Sequence, residues 1–382
     1  MTSNELTMGV IGSSKKENEH RVPIFPSHLL ELDGPLRNRI YIEEGYGKPF
    51  GVNDKGLKKL VAGILPREEL FEKCDIILLP KPTEGDFPFF RDGQILWGWP
   101  HCVQGEPITQ MGIDKKMTLI AWEAMYLWKR DMFKDLHVFH KNNEMAGYCS
   151  VLHALGLAGM TGHYGPAKRA AVISFGSTGR GAIHALVGQG YTDITLFTQR
   201  PDYAVIAPIP SVKHGRYMRE SPGSSDVLMV KDNQIIPSPE ELGSYDIIIN
   251  CILQDTDRPL MFVRNTDLDK LRPGALIIDV SCDLGMGFEF ARPTSFDKPN
   301  FMAGKLLYYA VDHSPSYLWY SASYEISSAL IPFIGTVMGG KEVWEKDPTI
   351  RNAVEMENGR ILNPKILSFQ NRAQEYPYPK LS

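Results

Sequence analysis

The sequence has few cysteines, no long apolar run and no strong excess of charge. Its 382 residues include five dispersed cysteines without Cys-x-x-Cys spacing, which is typical of reduced thiols in a cytoplasmic protein and not of a disulfide framework or a zinc site. No apolar stretch approaches the roughly 18 residues that a membrane-spanning helix requires. The N-terminal stretch MTSNELTMGVIG lacks the pattern of a signal peptide. We therefore expect a cytoplasmic protein that does not insert into membranes.

The charge balance argues against a polyanionic partner. Lys and Arg number 41 and Asp and Glu number 45, giving a net charge of −4, so nothing indicates a nucleic acid or an anionic membrane as partner. The histidines at 137, 140, 153 and 163 lack the i, i+4 pairing with an acid that zinc enzymes show. We expect no bound metal.

Short apolar runs that alternate with helix-compatible segments are the main positive signal. With 43% hydrophobic residues over this length, the chain suits two domains better than one core. The alternation predicts an α/β fold with two Rossmann-like, doubly wound parallel-sheet domains and a cleft between them. We place a discontinuous substrate or catalytic domain at residues 1–145 plus 316–382. A dinucleotide-binding domain occupies residues 146–315.

A glycine-rich turn in the second domain predicts a cofactor site. It follows the apolar run Ala170–Phe175 and precedes a predicted helix, Ala182–Gln189. A strand, a glycine turn and a helix N-terminus together cradle a pyrophosphate. The first glycine of the usual fingerprint is replaced by a serine, and a tight turn without ligand is the competing interpretation. The candidate cofactor residues of this turn are Ser174, Gly176, Ser177, Thr178, Gly179, Arg180 and Gly181.

The end of the next predicted strand bears on the choice of nicotinamide cofactor. NAD-binding folds usually carry an acidic residue there, about twenty residues after the glycines, to bind the ribose 2′-hydroxyl. This strand ends in Thr198, Gln199 and Arg200. A guanidinium can pair with a 2′-phosphate, so the sequence favours NADPH, with NADH as the alternative.

Polar residues that follow strands of the first domain are candidates for catalysis. Lys81 and His101 each come just after an apolar run and would converge at the edge of a parallel sheet. Each also has a plain interpretation, as a surface lysine and a structural histidine. Residue types and spacing do not decide between these alternatives.

Several segments, in the same order, resemble the alanine dehydrogenase and transhydrogenase superfamily. They are GVIGSSKKENEHRVPIFP, LPKPTEGDFPFFRDGQILWGWPHC, MAGYCSVLHALG, LIIDVSCDLG and YYAVDHSPSYLWYSASYEIS. Within that superfamily they are most similar to the N5-(carboxyethyl)ornithine synthases and the lysine-forming saccharopine dehydrogenases. The resemblance extends to about Gly335, and the tail from Met338 onward matches nothing in it.

The resemblance implies roles for individual residues. Arg21 would hold a substrate carboxylate by a bidentate pair. Lys81 and His101 would act jointly as acid and base, and the resemblance does not decide which of the two is the base. Glu123 would lie near that pair. A second substrate carboxylate could be reached by Lys15, by Lys16 or by Arg180, the last of which fits the cofactor phosphates better. In the second domain, Asp283 would lie near nicotinamide and substrate, and the cofactor set would also include Cys251, His313 and Ser316.

The implied activity is reduction at the C–N bond of an amino acid. We expect an NAD(P)H-dependent reductive condensation of an ornithine- or lysine-like amino acid with a 2-oxo acid such as pyruvate or 2-oxoglutarate. One alternative is an alanine dehydrogenase-type enzyme that uses ammonia. Another is a non-catalytic NADPH-binding sensor. Family members are commonly oligomeric, so the resemblance also implies a homo-oligomer.

Overall fold

The structure, a computed structural model, describes residues 6–129, 133–205, 207–231 and 234–381. Its contacts divide the chain into two units. The first unit contains residues 1–140 and 319–382, and the second contains residues 141–318.

The N-terminal part of the first unit alternates short apolar strands with short helices. The six parallel strands of its sheet are three or four residues long and mostly buried, as expected for strands covered on both faces. The last two strands of this part form a separate, more exposed antiparallel pair. The strands are β1 Met8–Val10, β2 Ile40–Glu43, β3 Gly63–Leu65, β4 Ile76–Leu78, β5 Ile95–Gly98, β6 Thr118–Ala121, β7 Tyr126–Lys129 and β8 Phe133–His137. The helices are α1 Gly34–Arg37, α2 Asp54–Leu57, α3 Arg67–Lys73 and α4 Glu106–Asp114.

The second unit carries the other parallel sheet and the glycine-rich turn. Its helices are α5 His140–Leu157, which begins at the boundary, α6 Ser177–Gly188 and α7 Ser238–Leu242. Its strands are β9 Arg169–Ile173, β10 Asp193–Thr198, β11 Lys213–Arg219, β12 Val227–Lys231, β13 Gln234–Pro237, β14 Ile247–Asn250, β15 Met261–Val263, β16 Leu276–Asp279, β17 Gly287–Phe288, β18 Asn300–Ala303 and β19 Leu306–Tyr309.

The C-terminal segment belongs to the first unit and completes its sheet. It consists of α8 Trp319–Met338, α9 Lys341–Trp344, α10 Pro348–Arg351, β20 Val354–Glu357, β21 Arg360–Ile361 and α11 Pro364–Phe369. Strand β20 pairs antiparallel with β6, and α8 packs its apolar face into the core that β1, β2 and β4 share. The first unit therefore depends on both ends of the chain.

Both main sheets are built around six parallel strands in the doubly wound order. The first runs β3-β2-β1-β4-β5-β6, extended by antiparallel β20 and β21. The second runs β11-β10-β9-β14-β16-β19, with antiparallel β12 and β13 at one edge and β18 at the other. This confirms the predicted α/β class with Rossmann-like sheets. In each sheet the order reverses beside the first strand, where ligands bind at the carboxyl ends.

The structure also corrects two predicted elements. The helical periodicity of Asp54–Ile64 predicts one helix, but helix α2 ends at Leu57 and Gly63–Leu65 is a strand. Gly56 and Gly63 weaken helix propensity there, and Gly63–Leu65 pairs with β2 at the edge of the sheet. Helix α6 begins at Ser177, five residues before the predicted start. In the part of the chain that the structure describes, no helix is long and apolar enough to cross a bilayer.

Candidate active site

Four predicted site residues of the first unit follow neighbouring parallel strands. Arg21 lies in the loop after β1, and Lys81, His101 and Glu123 follow β4, β5 and β6. Because the carboxyl ends of parallel strands lie at one edge of the sheet, this topology brings their side chains to the same place.

Lys81 and His101 are in direct contact. Lys81 Nζ lies 2.7 Å from His101 Nε2, a hydrogen-bond distance. The Trp99 ring lies beside both cations of the site, 5.1 Å from Arg21 Cζ and 5.4 Å from Lys81 Nζ. A cation over an indole is attracted by the ring quadrupole. Sequence reasoning did not identify Trp99, which lies two residues before His101 in the segment that already carried the resemblance.

Glu123 contacts the same histidine from its other side. Its Oε1 atom accepts a hydrogen bond from the His101 backbone N–H at 2.6 Å and lies 3.8 Å from His101 Nδ1. His101 has a positive φ of 50°, a conformation that is uncommon for a residue with a side chain, and this bond helps to hold it. Burial, followed by the nearby carboxylate of Glu355, raises the pKa of Glu123 to about 8.

Arg21 differs from the expected arrangement. Its Nε and Nη2 atoms donate to the two oxygens of Glu19 at 2.8 and 2.5 Å, and both side chains are buried. The bidentate face that was expected to hold a substrate carboxylate is therefore paired with Glu19. The short spacing of the two residues in one tight loop explains the pairing, and a substrate carboxylate would have to compete with Glu19.

Lys15 is bound to a neighbouring 3₁₀ turn, Glu84–Phe89. Its Nζ atom donates to Gly85 O at 2.5 Å, lies 3.7 Å from Asp86 and sits over the Phe89 ring. The structure thus gives Lys15 partners in that turn, and its role toward a substrate stays a prediction.

A cavity of about 530 Å³ opens beside the loop that carries Arg21. Glu19 lines it, together with Ser13, Lys16, His20 and Glu43. Glu43 is buried and accepts hydrogen bonds from the backbone N–H groups of Gly12 and Ser13, both at 2.7 Å. The cavity has the size and polarity of a small-metabolite site.

The glycine turn of the second unit has the geometry of a phosphate cradle. Gly176 is the residue before α6, and nothing in the described chain lies within 4 Å of a Cβ built on it. A Cβ on Gly179 would lie 2.2 Å from Ser174 O, and one on Gly181 would lie 1.8 Å from Glu144 O. The last two glycines are therefore needed for close packing of α6, whereas Gly176 leaves its backbone open to a ligand at the helix N-terminus. Ser177 and Thr178 begin that helix.

A small pocket of about 190 Å³ joins this turn to the end of β10. Ser174 and Gly176 line it from one side, and Thr198, Gln199 and Arg200 line it from the other. Phe175, Val205 and Tyr217 complete the lining. The structure thus brings together the turn and Arg200, as the order of the strands requires. Arg180 donates to Ala207 O at 2.9 Å and covers the Phe175 ring.

The carboxyl ends of β14 and β16 hold a buried polar network that sequence reasoning missed. Asp279 accepts hydrogen bonds from the Tyr308 hydroxyl and from Asn250 Nδ2, the latter at 3.0 Å. Burial raises the pKa of Asp279 to about 6. The network fixes the turn that leads to partly buried Asp283, while Cys251 is buried after β14. The signal for Asp279 was a carboxylate at the end of an apolar strand.

His313 and Ser316 are buried within the second unit. His313 Nδ1 lies 2.6 Å from Asp312 Oδ1, and its ring packs edge-on against Phe296. Ser316 N donates to His313 O at 3.0 Å. These contacts stabilise the turn before α8, and a role of either residue toward a cofactor stays a prediction. No group of three potential metal ligands occurs among the residues with described positions.

Comparison with known protein families assigns both parts of the chain. The model for Alanine dehydrogenase/PNT, N-terminal domain, matches residues 10–146, and that for Alanine dehydrogenase/PNT, C-terminal domain, matches residues 165–364. The chain belongs to the alanine dehydrogenase/PNT family. This confirms the resemblance found in the sequence. The second match runs to residue 364, so the family counterpart extends beyond Gly335, where the resemblance traced in the sequence ends.

Individual members of the alanine dehydrogenase/PNT family divide into two groups by name. An N(5)-(carboxyethyl)ornithine synthase of Clostridium botulinum is 27% identical over 323 residues, which cover 82% of this chain and 89% of the relative. An alanine dehydrogenase of Methanococcus maripaludis is 24% identical over 379 residues, 95% of each chain. Among solved structures, an L-alanine dehydrogenase covers 95% of this chain and 99% of its own with a TM-score of 0.75 at 18% identity. That likeness shows the fold.

Proposed function

We propose that this chain is an NAD(P)H-dependent oxidoreductase that acts on the C–N bond of an amino acid. The observation that carries the proposal is the contact between Lys81 Nζ and His101 Nε2, with Glu123 behind the histidine and Trp99 beside the lysine. The names of the relatives, which include both carboxyethylornithine synthases and alanine dehydrogenases, support the same reaction class.

The Lys81–His101 contact suits the proton transfers of imine chemistry. Joining an amine to a 2-oxo acid requires a neutral amine and then loss of water, and both steps need an acid and a base near neutral pH. A short hydrogen bond between Nζ and Nε2 leaves one proton to be shared by the two nitrogens, so one partner can accept a proton while the other donates one. Which of them is the base depends on the substrate bound, and we assign them jointly.

Arg21 and the neighbouring cavity would orient a carboxylate substrate. Arg21 and Lys81 both lie against the Trp99 ring, so a 2-oxo acid held by Arg21 would present its carbonyl carbon toward the Lys81–His101 pair. Glu19 would give up one oxygen-to-guanidinium contact when a substrate carboxylate binds. This exchange of one carboxylate for another keeps the buried guanidinium paired throughout.

The second unit would hold the nicotinamide dinucleotide. The open backbone at Gly176 and the N-terminus of α6 fit a pyrophosphate, and Arg200 in the adjoining pocket fits a ribose 2′-phosphate. The bound cofactor supplies the hydride for the reduction, and the protein supplies orientation and protons. We therefore favour NADPH as the reductant.

Within this class, we propose reductive condensation of an ornithine- or lysine-like amino acid with a 2-oxo acid. Two carboxylates enter in that reaction, and the cavity beside Arg21 has room for a second substrate portion. An alanine dehydrogenase-type reaction with ammonia is the second candidate. The alignment with the alanine dehydrogenase relative favours it, because that alignment covers 95% of this chain, whereas the alignment with the carboxyethylornithine synthase relative covers 82%.

A grid of substrates distinguishes the candidates. Purified protein would be mixed with NADPH or NADH and with ornithine, lysine, alanine or ammonia against pyruvate, 2-oxoglutarate or glyoxylate. Loss of nicotinamide absorbance together with a product heavier than either reactant supports condensation. Oxidation only in the presence of ammonia supports the alanine dehydrogenase type. Cofactor binding without oxidation by any pair would contradict an enzymatic role and favour a sensor.

A further inference from the structure

The C-terminal strand brings a second acidic residue to the candidate catalytic residues. Strand β20 pairs with β6, with Val354 opposite Ile120, and Ala121 N donates to Ala353 O at 2.8 Å. Glu355 therefore lies beside the end of β6, from which the chain turns directly into the residues that carry Glu123. A strand more than 200 residues away in sequence completes this edge of the site.

Glu355 is buried, and its contacts fix it there. Its Oε1 atom accepts a hydrogen bond from Asn363 Nδ2 at 3.0 Å, and its carboxyl group lies within hydrogen-bonding reach of the Cys102 thiol. Only 5% of the residue is exposed. Cys102, next to His101 in the chain, lies near both Glu355 and Glu123.

The two glutamates each retain one unsatisfied oxygen. Oε2 of Glu123 and Oε2 of Glu355 are both buried and have no hydrogen-bond partner among the described residues. When two neighbouring carboxyl groups each have an oxygen shielded from water and from donors, ionising both is costly, so one of them retains a proton. The strand pairing and the two unsatisfied oxygens thus indicate two carboxyl groups of which one is protonated.

The charged groups around the pair determine which glutamate carries the proton. Glu355 accepts hydrogen bonds from Asn363 Nδ2 and the Cys102 thiol, which favour its own ionised form. Lys81 and the His101 amide favour an ionised Glu123, and the charge of Glu355 opposes them. The His137 ring contacts the Glu123 backbone carbonyl from β8, and burial lowers its pKa to about 4, so it is neutral near pH 7. Glu355 is therefore the neighbour that can keep Glu123 protonated.

We propose that Glu355 is a positioning residue of this site, which keeps Glu123 neutral near pH 7 so that the Lys81–His101 pair is not locked in its charged form. A neutral Glu123 still accepts the hydrogen bond from the His101 backbone N–H and so orients the histidine. It does not stabilise an imidazolium as a carboxylate would. His101 is then free to exchange its proton with Lys81 and substrate. The inference deepens the proposed function and rests on it for the role of the pair.

The first test does not depend on turnover. The folded chain holds a proton on this pair that the unfolded chain releases. The free energy of unfolding therefore falls as pH rises above the ordinary range of glutamate pKa values. The melting temperature of the wild-type chain should therefore fall between pH 5 and 8 more steeply than that of Glu355→Gln. Glu357→Gln, which removes an acid from the same strand that pairs with Lys341, should follow the wild type.

A double variant makes this test specific to the pair. Glu123→Gln alone, Glu355→Gln alone and the two together should flatten the pH dependence to the same extent, because each removes one of the two carboxyl groups whose repulsion retains the proton. Equal slopes in the wild type and in Glu355→Gln, or fully additive effects in the double variant, would overturn the proposal even if the protein proves not to be an enzyme. Glu355→Asp, which keeps the charge, covers the case in which the glutamine variant does not fold, and should retain the wild-type slope.

The second test uses the pH dependence of kcat. Activity that needs a neutral Glu123 is lost as pH rises through its pKa, so Glu355→Gln should move the alkaline limb to lower pH by about one unit. Glu355→Asp and Glu357→Gln should keep the wild-type limb. An unshifted limb in Glu355→Gln would contradict the positioning role and leave the proposed function standing, whereas absence of turnover in the wild-type protein would contradict the proposed function alone.

Discussion

At the scale of single residues, we predict that one side chain at the end of β10 decides between NADPH and NADH. Arg200 is exposed and lines the pocket that adjoins the glycine turn, and Thr198 and Gln199 leave no acid at that strand end. A charge-assisted contact to a phosphate is about twice as strong as a neutral hydrogen bond. The absence of an acid there and the presence of a guanidinium both favour NADPH over NADH.

Arg200→Ala should therefore raise the KM for NADPH by about tenfold, the loss expected for one charge-assisted contact. The KM for NADH should change little. Steady-state kinetics with both cofactors measure this, with Lys213→Ala as the control, since Lys213 is an exposed cation of β11 that pairs with Asp193. Equal effects on NADPH and NADH would show that Arg200 does not contact a 2′-phosphate.

At the scale of elements, the glycine turn illustrates what a sequence reveals about a site. The strand, the turn and the following helix were predicted because apolar residues and glycines alternate in a recognisable order. The start of α6 was missed by five residues, since Ser177, Thr178 and two glycines are weak helix formers. Packing determines their conformation. Gly181 lies against the backbone carbonyl of Glu144 in α5, and helix propensities of individual residues do not predict such a contact.

Gly179→Ala tests the packing of that helix. The added methyl group would lie 2.2 Å from Ser174 O, so helix and strand must separate. We expect a loss of about 1–3 kcal/mol in unfolding free energy and weaker NADPH binding, measured by urea unfolding and by cofactor fluorescence. Gly188→Ala in the same helix meets no described atom within 4 Å, so it should leave NADPH binding unchanged and should not lower the unfolding free energy. A stable, tightly binding Gly179→Ala protein would rule out this account of the turn.

The first sheet shows the same limit of sequence reasoning. Its parallel strands were predicted from short apolar runs, and Lys81 and His101 were found at their ends. Trp99 and Glu355 were not, because an aromatic residue after a strand and an acid in a polar tail have no distinctive spacing. Their importance comes from contacts that only the folded chain defines, such as the position of Lys81 over the Trp99 ring.

At the scale of the whole molecule, the C-terminal segment supports the loop that contains His101. Gln370, which follows α11, donates its side-chain amide to Cys102 O at 2.6 Å and is held by Arg372 Nε at 2.7 Å. Both side chains are buried. A contact between residues 268 positions apart joins the end of the chain to the candidate catalytic loop.

Gln370→Ala should destabilise the protein by about 1–3 kcal/mol, because it removes one of the two donors to the Cys102 carbonyl, the other being Thr109 Oγ1, and takes from the buried Arg372 Nε its acceptor. It should also lower kcat more than it raises KM, since the position of His101 is disturbed. Lys380 lies in the same tail and forms an exposed ion pair with Glu106 of α4. Lys380→Ala should therefore have little effect on stability or on kcat. Unchanged stability and kcat in Gln370→Ala would show that the tail does not support the loop.

We propose that Lys81 and His101 together perform the proton transfers of a C–N oxidoreductase. The most direct measurement is kcat for Lys81→Met and His101→Ala, with the substrate pair that the wild-type chain turns over and with NADPH binding as the control for folding. We predict that each variant loses about a hundredfold or more in kcat while it binds NADPH normally. Turnover within a few-fold of wild type in either variant would contradict the assignment.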